Sequence, residues 1–260
     1  MLTAARTIPT FPDLAGKVGL VTGSSRGIGA EIAKYLAANH VRVVVNGRDR
    51  EALARVVAEI EASGAEVMGV IADCTKQDQI EDMRRKVEDR FGDIDLLLAF
   101  AGGDGSPEPI EELSEARWDS VFATNLKSKF LTVKSFLPGM MRRGAGSIVL
   151  MCSSAGRAPS RASLAYSSAQ AGVAMLARNL AQQLGEHGIR VNVIAPSSIR
   201  NERIQRSMSP EQLENLAQMY AIRRIGEPQD VAAAALFLCS ESSSWMTGVT
   251  LDVAGGKVMV

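Results

Sequence analysis

The chain has 260 residues, 46% of them hydrophobic, which is enough to build a substantial core in one large domain. Lysine plus arginine equals aspartate plus glutamate at 29 each, so no overall charge favours nucleic acid or an anionic membrane. The three cysteines are widely separated without metal-ligand spacing, and no apolar run is long enough to span a bilayer. We therefore expect a protein of a reduced compartment, the cytoplasm, with no metal, nucleic-acid or membrane partner.

The first 13 residues precede the first recognisable element of secondary structure. They contain Pro9 and Pro12 and lack the apolar centre that is typical of a secretion signal. We interpret residues 1–13 as an N-terminal arm and residues 14–260 as a single domain.

Apolar, strand-like runs alternate with helical patterns along the rest of the chain. The predicted strands lie at residues 18–21, 41–48, 66–71, 96–100, 147–153, 190–195 and 249–253, and the predicted helices at 28–38, 51–64, 77–91, 115–143, 164–187 and 228–239. Residues 197–226 are polar and irregular. This alternation predicts an α/β fold of the Rossmann type, a doubly wound, seven-stranded parallel sheet with helices on both faces. Ligands of such folds bind where the winding direction reverses, so the loops after the first and fourth strands should form one crevice.

A glycine-rich turn connects the first strand to the first helix in the stretch VGLVTGSSRGIGA, residues 18–30. Gly23, Gly27 and Gly29 let the backbone turn tightly and let a ligand approach without a Cβ in the way. The first N–H groups of the helix then face an anion, and the natural anion is a pyrophosphate. Glycines also serve plain turns, but the strand before and the helix after favour the phosphate-binding interpretation.

Several motifs in combination resemble one family of enzymes. The turn TGSSRGIG, the AGG at residues 101–103, Asn125, Ser153 and Tyr166 together resemble the short-chain dehydrogenases/reductases, close to their 3-oxoacyl-(acyl-carrier-protein) reductases. The resemblance covers residues 14–260. It implies hydride transfer between a nicotinamide cofactor and a carbonyl. Tyr166 would be the proton donor, Ser153 would orient the carbonyl, and Asn125 would help to hold a proton-relay water.

The resemblance also implies where the cofactor binds. The residues that it assigns to the cofactor are Gly23, Ser25, Arg26, Gly27, Ile28, Gly29, Arg48, Asp73, Cys74, Ala101, Gly102, Tyr166, Gln170, Pro196 and Ile199. Asp73 lies where the family's aspartate hydrogen-bonds the adenine, and a cap for the following helix is its alternative role.

The end of the second strand decides between NADP(H) and NAD(H). An acidic residue there would accept hydrogen bonds from the adenosine ribose, whereas a basic residue would attract a 2′-phosphate. This chain has Asn46, Gly47 and Arg48, and Arg26 adds a second cation on the same side. We expect NADP(H) to be preferred over NAD(H). Asp49 is the alternative ribose ligand, but its place beyond the strand favours a role as the cap of the next helix.

The chain departs from the family pattern at the active site. Four residues after Tyr166, on the same helix face, the family has a lysine that lowers the pKa of the tyrosine and holds the nicotinamide ribose; this chain has Gln170. Glutamine can hydrogen-bond the ribose but carries no charge, so the chemical step should slow, less for reduction than for oxidation. Phe100 replaces an asparagine that braces the sheet. In PSSIRN, residues 196–201, Asn201 could supply the hydrogen bonds of the family's threonine near the nicotinamide amide.

Residues 197–226 correspond to the family's substrate lid, which is rich in arginine here. Its arginines are Arg200, Arg203, Arg206, Arg223 and Arg224. They would suit an anionic carrier such as a phosphopantetheine thioester or coenzyme A; alternatively they form a solvated face balanced by Glu202, Glu211 and Glu214. The helix at 164–184 is small or apolar on nearly every side, which together with the family pattern predicts a homodimer or homotetramer.

Two functions are consistent with these residues. The leading hypothesis is an NADP(H)-dependent oxidoreductase that reduces a ketone or 3-oxoacyl thioester, with Tyr166 as acid, Ser153 and Asn125 beside it and Gln170 in the place of the lysine. The alternative is a cofactor-binding subunit or sensor with little or no turnover, because the lysine is absent. Turnover that is lost in Tyr166→Phe would distinguish the first function from the second.

Overall fold

The strands form one parallel sheet. The computed structural model describes residues 7–201, 204 and 208–259. The strands are Val18–Thr22 (β1), Arg42–Gly47 (β2), Val67–Ile71 (β3), Leu96–Ala99 (β4), Gly146–Met151 (β5), Ile189–Pro196 (β6) and Thr250–Val253 (β7). Their order in the sheet is β3-β2-β1-β4-β5-β6-β7. The predicted doubly wound, seven-stranded parallel sheet is confirmed.

Helices cover both faces of this sheet. They are Gly27–Ala38 (α1), Arg50–Glu61 (α2), Gln77–Phe91 (α3), Glu115–Phe122 (α4), Ser128–Arg143 (α5), Leu164–Leu184 (α6), Pro210–Gln218 (α7) and Pro228–Cys239 (α8). Alternate strand residues point to opposite faces, so Val43 and Val45 pack with α1, α2 and α8, whereas Val44 packs with α3, α5 and α6. Burial on both faces explains why the strands are apolar almost without interruption.

Three helical segments differ from their predicted extents. The segment predicted at 164–187 is α-helical only to Leu184 and continues as a 3₁₀ turn at Gly185–His187. Asp49 caps α2 as predicted, since its carboxylate accepts from the N–H of Ala52 at 3.1 Å. The helix ends at Glu61, before the predicted Gly64, which closes the following turn at φ 81°. The segment predicted as one helix at 115–143 is interrupted by a π-helical turn, Ala123–Lys127, between α4 and α5. Wide turns of this kind occur frequently at functional sites.

The region 197–226, predicted to be irregular, contains α7. Ser209 begins this helix with a capping box, because its Oγ accepts from the N–H of Gln212 and its own N–H donates to Gln212 Oε1. Pro210 at the first helical position is also typical of a helix start. Three residues named above for the lid, Glu202, Arg203 and Arg206, lie outside the described residues.

The described part of the N-terminal arm lies against the end of α1. The N–H of Phe11 donates to Asn39 Oδ1 at 2.7 Å, and Asn39 Nδ2 donates to the carbonyl of Pro9 at 3.0 Å. Residues 1–6 of the predicted arm lie outside the described residues.

The winding direction reverses between β1 and β4, which are neighbours in the sheet. The loops that follow them meet closely: a Cβ on Gly23 would lie 2.8 Å from the Cα of Ala101. Only glycine therefore fits at position 23, where φ is 68°. The loops after β1 and β4, which the sequence predicts to form one crevice, thus meet at this junction.

Other general features concern membranes, metals and thiols. Within the described ranges, no helix is long and apolar enough to cross a membrane, and no group of three or more His, Cys, Asp or Glu residues is placed to hold a metal ion. The three cysteines are buried free thiols. Burial raises the pKa of Cys152 and of Cys239 to about 12, so both remain neutral at physiological pH.

The hydroxyl of Thr22 braces the centre of the sheet, which generates a test of stability. Thr22 is 1% exposed, and its Oγ1 accepts from the N–H groups of Phe100 at 3.0 Å and Ala101 at 3.1 Å. Thr22→Val leaves both donors without a partner and should lower the free energy of unfolding by about 2–4 kcal/mol in urea titrations. Thr22→Ser keeps the acceptor and should retain most of the stability. Equal stability of the two variants would contradict this role.

Candidate active site

Ser153 and Tyr166 come together at the carboxyl edge of the sheet. Ser153 follows β5, and its Oγ accepts from the N–H of Ala155 at 3.2 Å. Tyr166 stands in the first turn of α6, whose cap residue Ser163 accepts from the N–H of Tyr166 at 3.3 Å. Burial raises the pKa of the Tyr166 hydroxyl, and the side chains of Ser153 and Gln170 oppose that shift. The phenol is therefore protonated at neutral pH and available as a proton donor.

The loop after β4 covers one side of the Tyr166 ring. A Cβ on Gly105 would lie 2.9 Å from both Cδ1 and Cε1 of Tyr166, so the glycine backbone packs directly on the ring. The preceding residue, Asp104, has φ 66° and pairs with Arg117 of α4 at 2.7 Å. This ion pair holds the loop against the tyrosine, and a larger residue at position 105 would displace the ring.

Asn125, in the π-helical turn, fixes the orientation of Gln170. Its Oδ1 accepts from the N–H of Gly103 at 2.8 Å, and its Nδ2 donates to the carbonyl oxygens of Gly103 and Val121. A backbone N–H only donates and a carbonyl only accepts, so the Asn125 amide has one orientation. Gln170, 3% exposed, donates from Nε2 to that Oδ1 at 3.1 Å. Its Oε1 therefore faces away from Asn125.

The Oε1 atom of Gln170 is a buried acceptor with no hydrogen-bond partner among the described residues. A buried acceptor without a donor costs free energy, so it marks a place for a hydroxyl group of a bound molecule. The ribose of a nicotinamide nucleotide carries such hydroxyls. The side chains present at this point thus fit a nicotinamide cofactor, toward which Gln170 would be an acceptor.

The turn between β1 and α1 presents backbone N–H groups to an anion. Gly27 has φ 57°, and a Cβ on Gly29 would lie 2.5 Å from the carbonyl oxygen of Gly23. Arg26 is the N-cap residue of α1 and makes no side-chain cap, so the first N–H groups of the helix, which include that of Ile28, are left for a ligand. This geometry is suited to a pyrophosphate.

The edge at the end of β2 carries two exposed arginines, Arg26 and Arg48, and an acid that is already paired, Asp49. A Cβ on Gly47 would lie 2.8 Å from the Cβ of Ser25, so no acidic side chain fits at that position. Asp49 caps α2 and pairs with Arg26 at 2.5 Å. Arg48 is exposed beside them. For Asp49 to bind a ribose, as in the alternative, the ribose would have to replace the helix cap or the ion pair that Asp49 already makes.

Asp73 and Cys74 follow β3 at the same edge. Asp73 Oδ1 accepts from the N–H and the Oγ1 of Thr75, both at 2.9 Å, and so closes the turn. Helix α3 begins after Lys76, so the alternative role of Asp73 as a helix cap is wrong. The thiol of Cys74 donates to Asn46 Oδ1 at 3.2 Å inside the protein, which leaves only its backbone for a ligand.

Phe100 occupies the space where the family pattern has an asparagine. It is 3% exposed and packs in the core that α1 and α8 share. The bracing of the strand end comes from Thr22, which accepts from the backbone N–H of Phe100. The ring therefore fills space, while another residue makes the hydrogen bond.

The segment after β6 is tied down by local contacts. Pro196 ends the strand, and buried Ile199 makes a bridge with Gly226. Asn201 donates to the carbonyl of Ile199 at 3.1 Å and accepts from the N–H of Ile204 at 2.9 Å. Its amide is thus engaged locally, and the role expected for it near a nicotinamide amide would require these bonds to open.

The described arginines of the lid bond to the chain itself. Arg200 pairs with Glu227 at 2.8 Å, and Arg224 pairs with Asp230 at 2.6 Å. Arg223 donates to a backbone carbonyl at the end of α7 at 2.6 Å. Their partner carboxylates, Glu227 and Asp230, lie at the start of α8 and are not those that the sequence suggested, of which Glu211 and Glu214 lie in α7. These pairs favour a structural role for the three arginines over contact with an anionic carrier.

Lys129 is a residue of this site that sequence reasoning missed. It is 2% exposed, and its Nζ donates to the carbonyl oxygens of Ala101 at 3.0 Å and Asn125 at 2.9 Å. Burial lowers the pKa of Lys129 to about 8. The sequence did contain a signal for it. Lys129 follows Asn125 by four residues, so the two lie on the same face of the helix, the face that is directed toward the site.

A family model described as enoyl-(acyl carrier protein) reductase matches residues 23–257. Human dehydrogenase/reductase SDR family member 4 is 35% identical over 94% of this chain and 88% of its own length. The chain belongs to the short-chain dehydrogenase/reductase family. The 3-oxoacyl-(acyl-carrier-protein) reductase of Staphylococcus epidermidis, another member, is 33% identical over 94% of this chain and 99% of its own length.

A solved structure of this family has the same fold. It is a 7α-hydroxysteroid dehydrogenase complexed with NADH and 7-oxo glycochenodeoxycholic acid, with a TM-score of 0.90 and 35% identity over 95% of this chain and 96% of the other. The resemblance inferred from the motifs is confirmed, and the protein is an enzyme of the oxidoreductase class that its relatives represent. A nicotinamide cofactor is the group that this family binds.

The buried charge of Lys129 makes stability depend on pH. Its folded-state pKa of about 8 lies below the ordinary 10.5, so the unfolded chain binds more protons between these values. The free energy of unfolding should therefore rise by about 2–3 kcal/mol from about pH 8 to about pH 10.5, relative to Lys129→Met. Urea titrations at both pH values measure this difference. Lys134→Met, an exposed lysine on the same helix, should behave like the unmodified chain, and an equal pH dependence in all three would contradict a buried charge.

Proposed function

We propose that this chain is an NADP(H)-dependent oxidoreductase that reduces a carbonyl, in a ketone or a 3-oxoacyl thioester, to an alcohol. The observation that carries the proposal is the protonated Tyr166, held with Ser153 at the sheet edge that also carries the glycine turn after β1. A proton donor, a hydroxyl that orients the carbonyl and an anion-binding turn are the parts that such a reduction needs. Membership of the family supports the reaction class.

The proton is supplied by this chain. The Ser153 hydroxyl would donate a hydrogen bond to the carbonyl oxygen, and Tyr166 would transfer its proton to that oxygen as negative charge develops there. Burial raises the pKa of Tyr166, so the acid form dominates at neutral pH. Oxidation of an alcohol would need the tyrosinate as a base, which the same burial disfavours. We therefore assign reduction as the favoured direction.

The cofactor would supply the hydride when it is bound. The N–H groups at the start of α1 would hold its pyrophosphate, and Ala101 and Gly102 would line the crevice beside it. Gln170 Oε1 would accept a hydrogen bond from a ribose hydroxyl, which supports a role for position 170 even without the lysine.

A preference for NADP(H) over NAD(H) is part of this proposal. Its support is the edge at β2, where Gly47 admits no acidic side chain and the guanidinium groups of Arg26 and Arg48 are exposed. A 2′-phosphate carries extra negative charge that arginines bind well. Asp49 already pairs with Arg26, which lowers the attraction of that one arginine for the phosphate.

We assign residues 14–260 to one catalytic domain, with residues 197–226 as the substrate lid, and we place its activity in the cytoplasm, consistent with three free thiols. Phe130, Leu164 and Met175 are exposed on α5 and α6, with Met175 at 53%. Exposed apolar side chains on adjacent helices support assembly into a homodimer or homotetramer.

A second candidate function is favoured by one observation. Position 170 holds a neutral amide with an unpartnered, buried acceptor, where the family pattern has a charged donor. A chain that holds the cofactor but transfers hydride slowly or not at all would act as a binding subunit or sensor. Such a chain would bind the cofactor but would not oxidise it with any substrate.

The test compares cofactor oxidation with binding. NADPH and NADH consumption is followed with a panel of ketones and 3-oxoacyl thioesters, and dissociation constants are measured by nicotinamide fluorescence. We expect faster turnover with NADPH, loss of at least about a hundredfold in rate in Tyr166→Phe, and cofactor binding that is retained to within about tenfold in that variant.

A matched pair of serines provides the control. Ser153→Ala should slow the reaction, whereas Ser154→Ala, the next residue, should leave it unchanged. Cofactor binding without turnover on any substrate of the panel would favour the binding subunit and overturn the reductase assignment.

A further inference from the structure

A buried lysine lies beneath the turn that follows β4. Lys129 is 2% exposed, and no carboxylate of the described residues lies within ion-pairing distance of its Nζ. Its two hydrogen bonds go to backbone carbonyls, which a neutral donor could also satisfy. An apolar residue of similar length would fill the same space without the cost of burying a charge, so the charge itself requires a reason.

The ammonium lies close to the groups that arrange the active site. The point where a Cβ of Gly102 would lie is 3.4 Å from Lys129 Nζ and 2.9 Å from Asn125 Oδ1. That same Oδ1 accepts from Gln170, whose side chain influences the Tyr166 hydroxyl. Lys129 thus touches the turn and the asparagine that hold Gln170, without touching the tyrosine.

We propose that Lys129 is a positioning residue of this site, which supplies from beneath the Gly102 turn the buried positive charge that Gln170 lacks. The inference rests on the proposed function. In an interior of low dielectric constant, such a charge favours negative charge nearby, both that of a bound dinucleotide and that which develops when Tyr166 gives up its proton. It also fixes the carbonyls of Ala101 and Asn125, and with them the orientation of Gln170.

Other charged or titratable groups face this region. Cys74 and Cys152 lie beside Lys129, and burial raises their pKa values to about 11 and about 12, so both thiols stay neutral. Asp104, on the same turn, is half exposed and pairs with Arg117. Tyr166 remains protonated at neutral pH. Lys129 is therefore the group here that changes charge near pH 8.

The first test measures NADPH binding against pH. The unmodified chain and Lys134→Met should bind NADPH about tenfold more weakly at about pH 9.5 than at about pH 7.5, as the buried charge is lost. Lys129→Met should bind weakly at both pH values. Lys129→Gln keeps a donor for the carbonyls and should resemble Lys129→Met, which separates charge from packing. If both Lys129 variants bind NADPH with the affinity and the pH dependence of the unmodified chain, the proposal is wrong.

The second test needs neither cofactor nor turnover. Protein with ¹³Cζ-labelled tyrosine gives a Tyr166 resonance that Tyr166→Phe identifies. Its chemical shift should change with a midpoint near pH 8 in the unmodified chain and not in Lys129→Gln. If that step persists in Lys129→Gln, the link from Lys129 to Tyr166 is wrong. If the chain reduces substrates at a rate that Lys129 substitutions do not change, this inference is wrong and the reductase assignment holds. If the ¹³C chemical shift depends on Lys129 but no substrate is reduced, the reductase assignment is wrong and this inference holds.

Discussion

The side chain of Asn125 is the interaction on which the geometry of the site depends. Its amide makes four hydrogen bonds, two with the backbone of Gly103, one with the carbonyl of Val121 and one with Gln170. These bonds join the loop after β4 to α6, which carries the tyrosine. The π-helical turn widens the helix at Asn125, and the carbonyl of that residue also accepts from Lys129 Nζ at 2.9 Å.

The same network explains how the chain accommodates a glutamine at position 170. Asn125 Oδ1 must be an acceptor, so Gln170 must donate to it and must direct its own acceptor away from Asn125. A lysine at this position would present only donors. The chain thus keeps a polar group that can hold a ribose hydroxyl, and it places its buried positive charge on the neighbouring helix instead, at Lys129.

The fold was predictable because its signals are local and repeated. Buried strands such as β1, β2 and β6 are nearly continuous apolar runs, and the glycines after β1 are required by backbone conformation. The seven-stranded sheet followed from that alternation. Helix α7 was missed although Ser209, Pro210 and Gln212 form a standard start signal, because it is only nine residues long and none of its residues is buried.

The candidate site was only partly predictable from the sequence. Tyr166, Ser153 and Asn125 belong to a motif with fixed spacing, and the structure brings them to one edge. Lys129 was missed because a lysine in a helix is normally solvated, and its burial depends on the approach of Ala101 from another element. The use of Asp49 as both a helix cap and the partner of Arg26 likewise depends on how two loops meet.

The central claim is that an active site with Gln170 in place of the lysine catalyses reduction. The most direct measurement is NADPH consumption with ketones and 3-oxoacyl thioesters, run side by side for the unmodified chain and for Gln170→Lys. Our account predicts that the unmodified chain turns over and that the lysine variant gains less than about tenfold, because the site already has its charge and its proton donor. Activity in Gln170→Lys alone would contradict it.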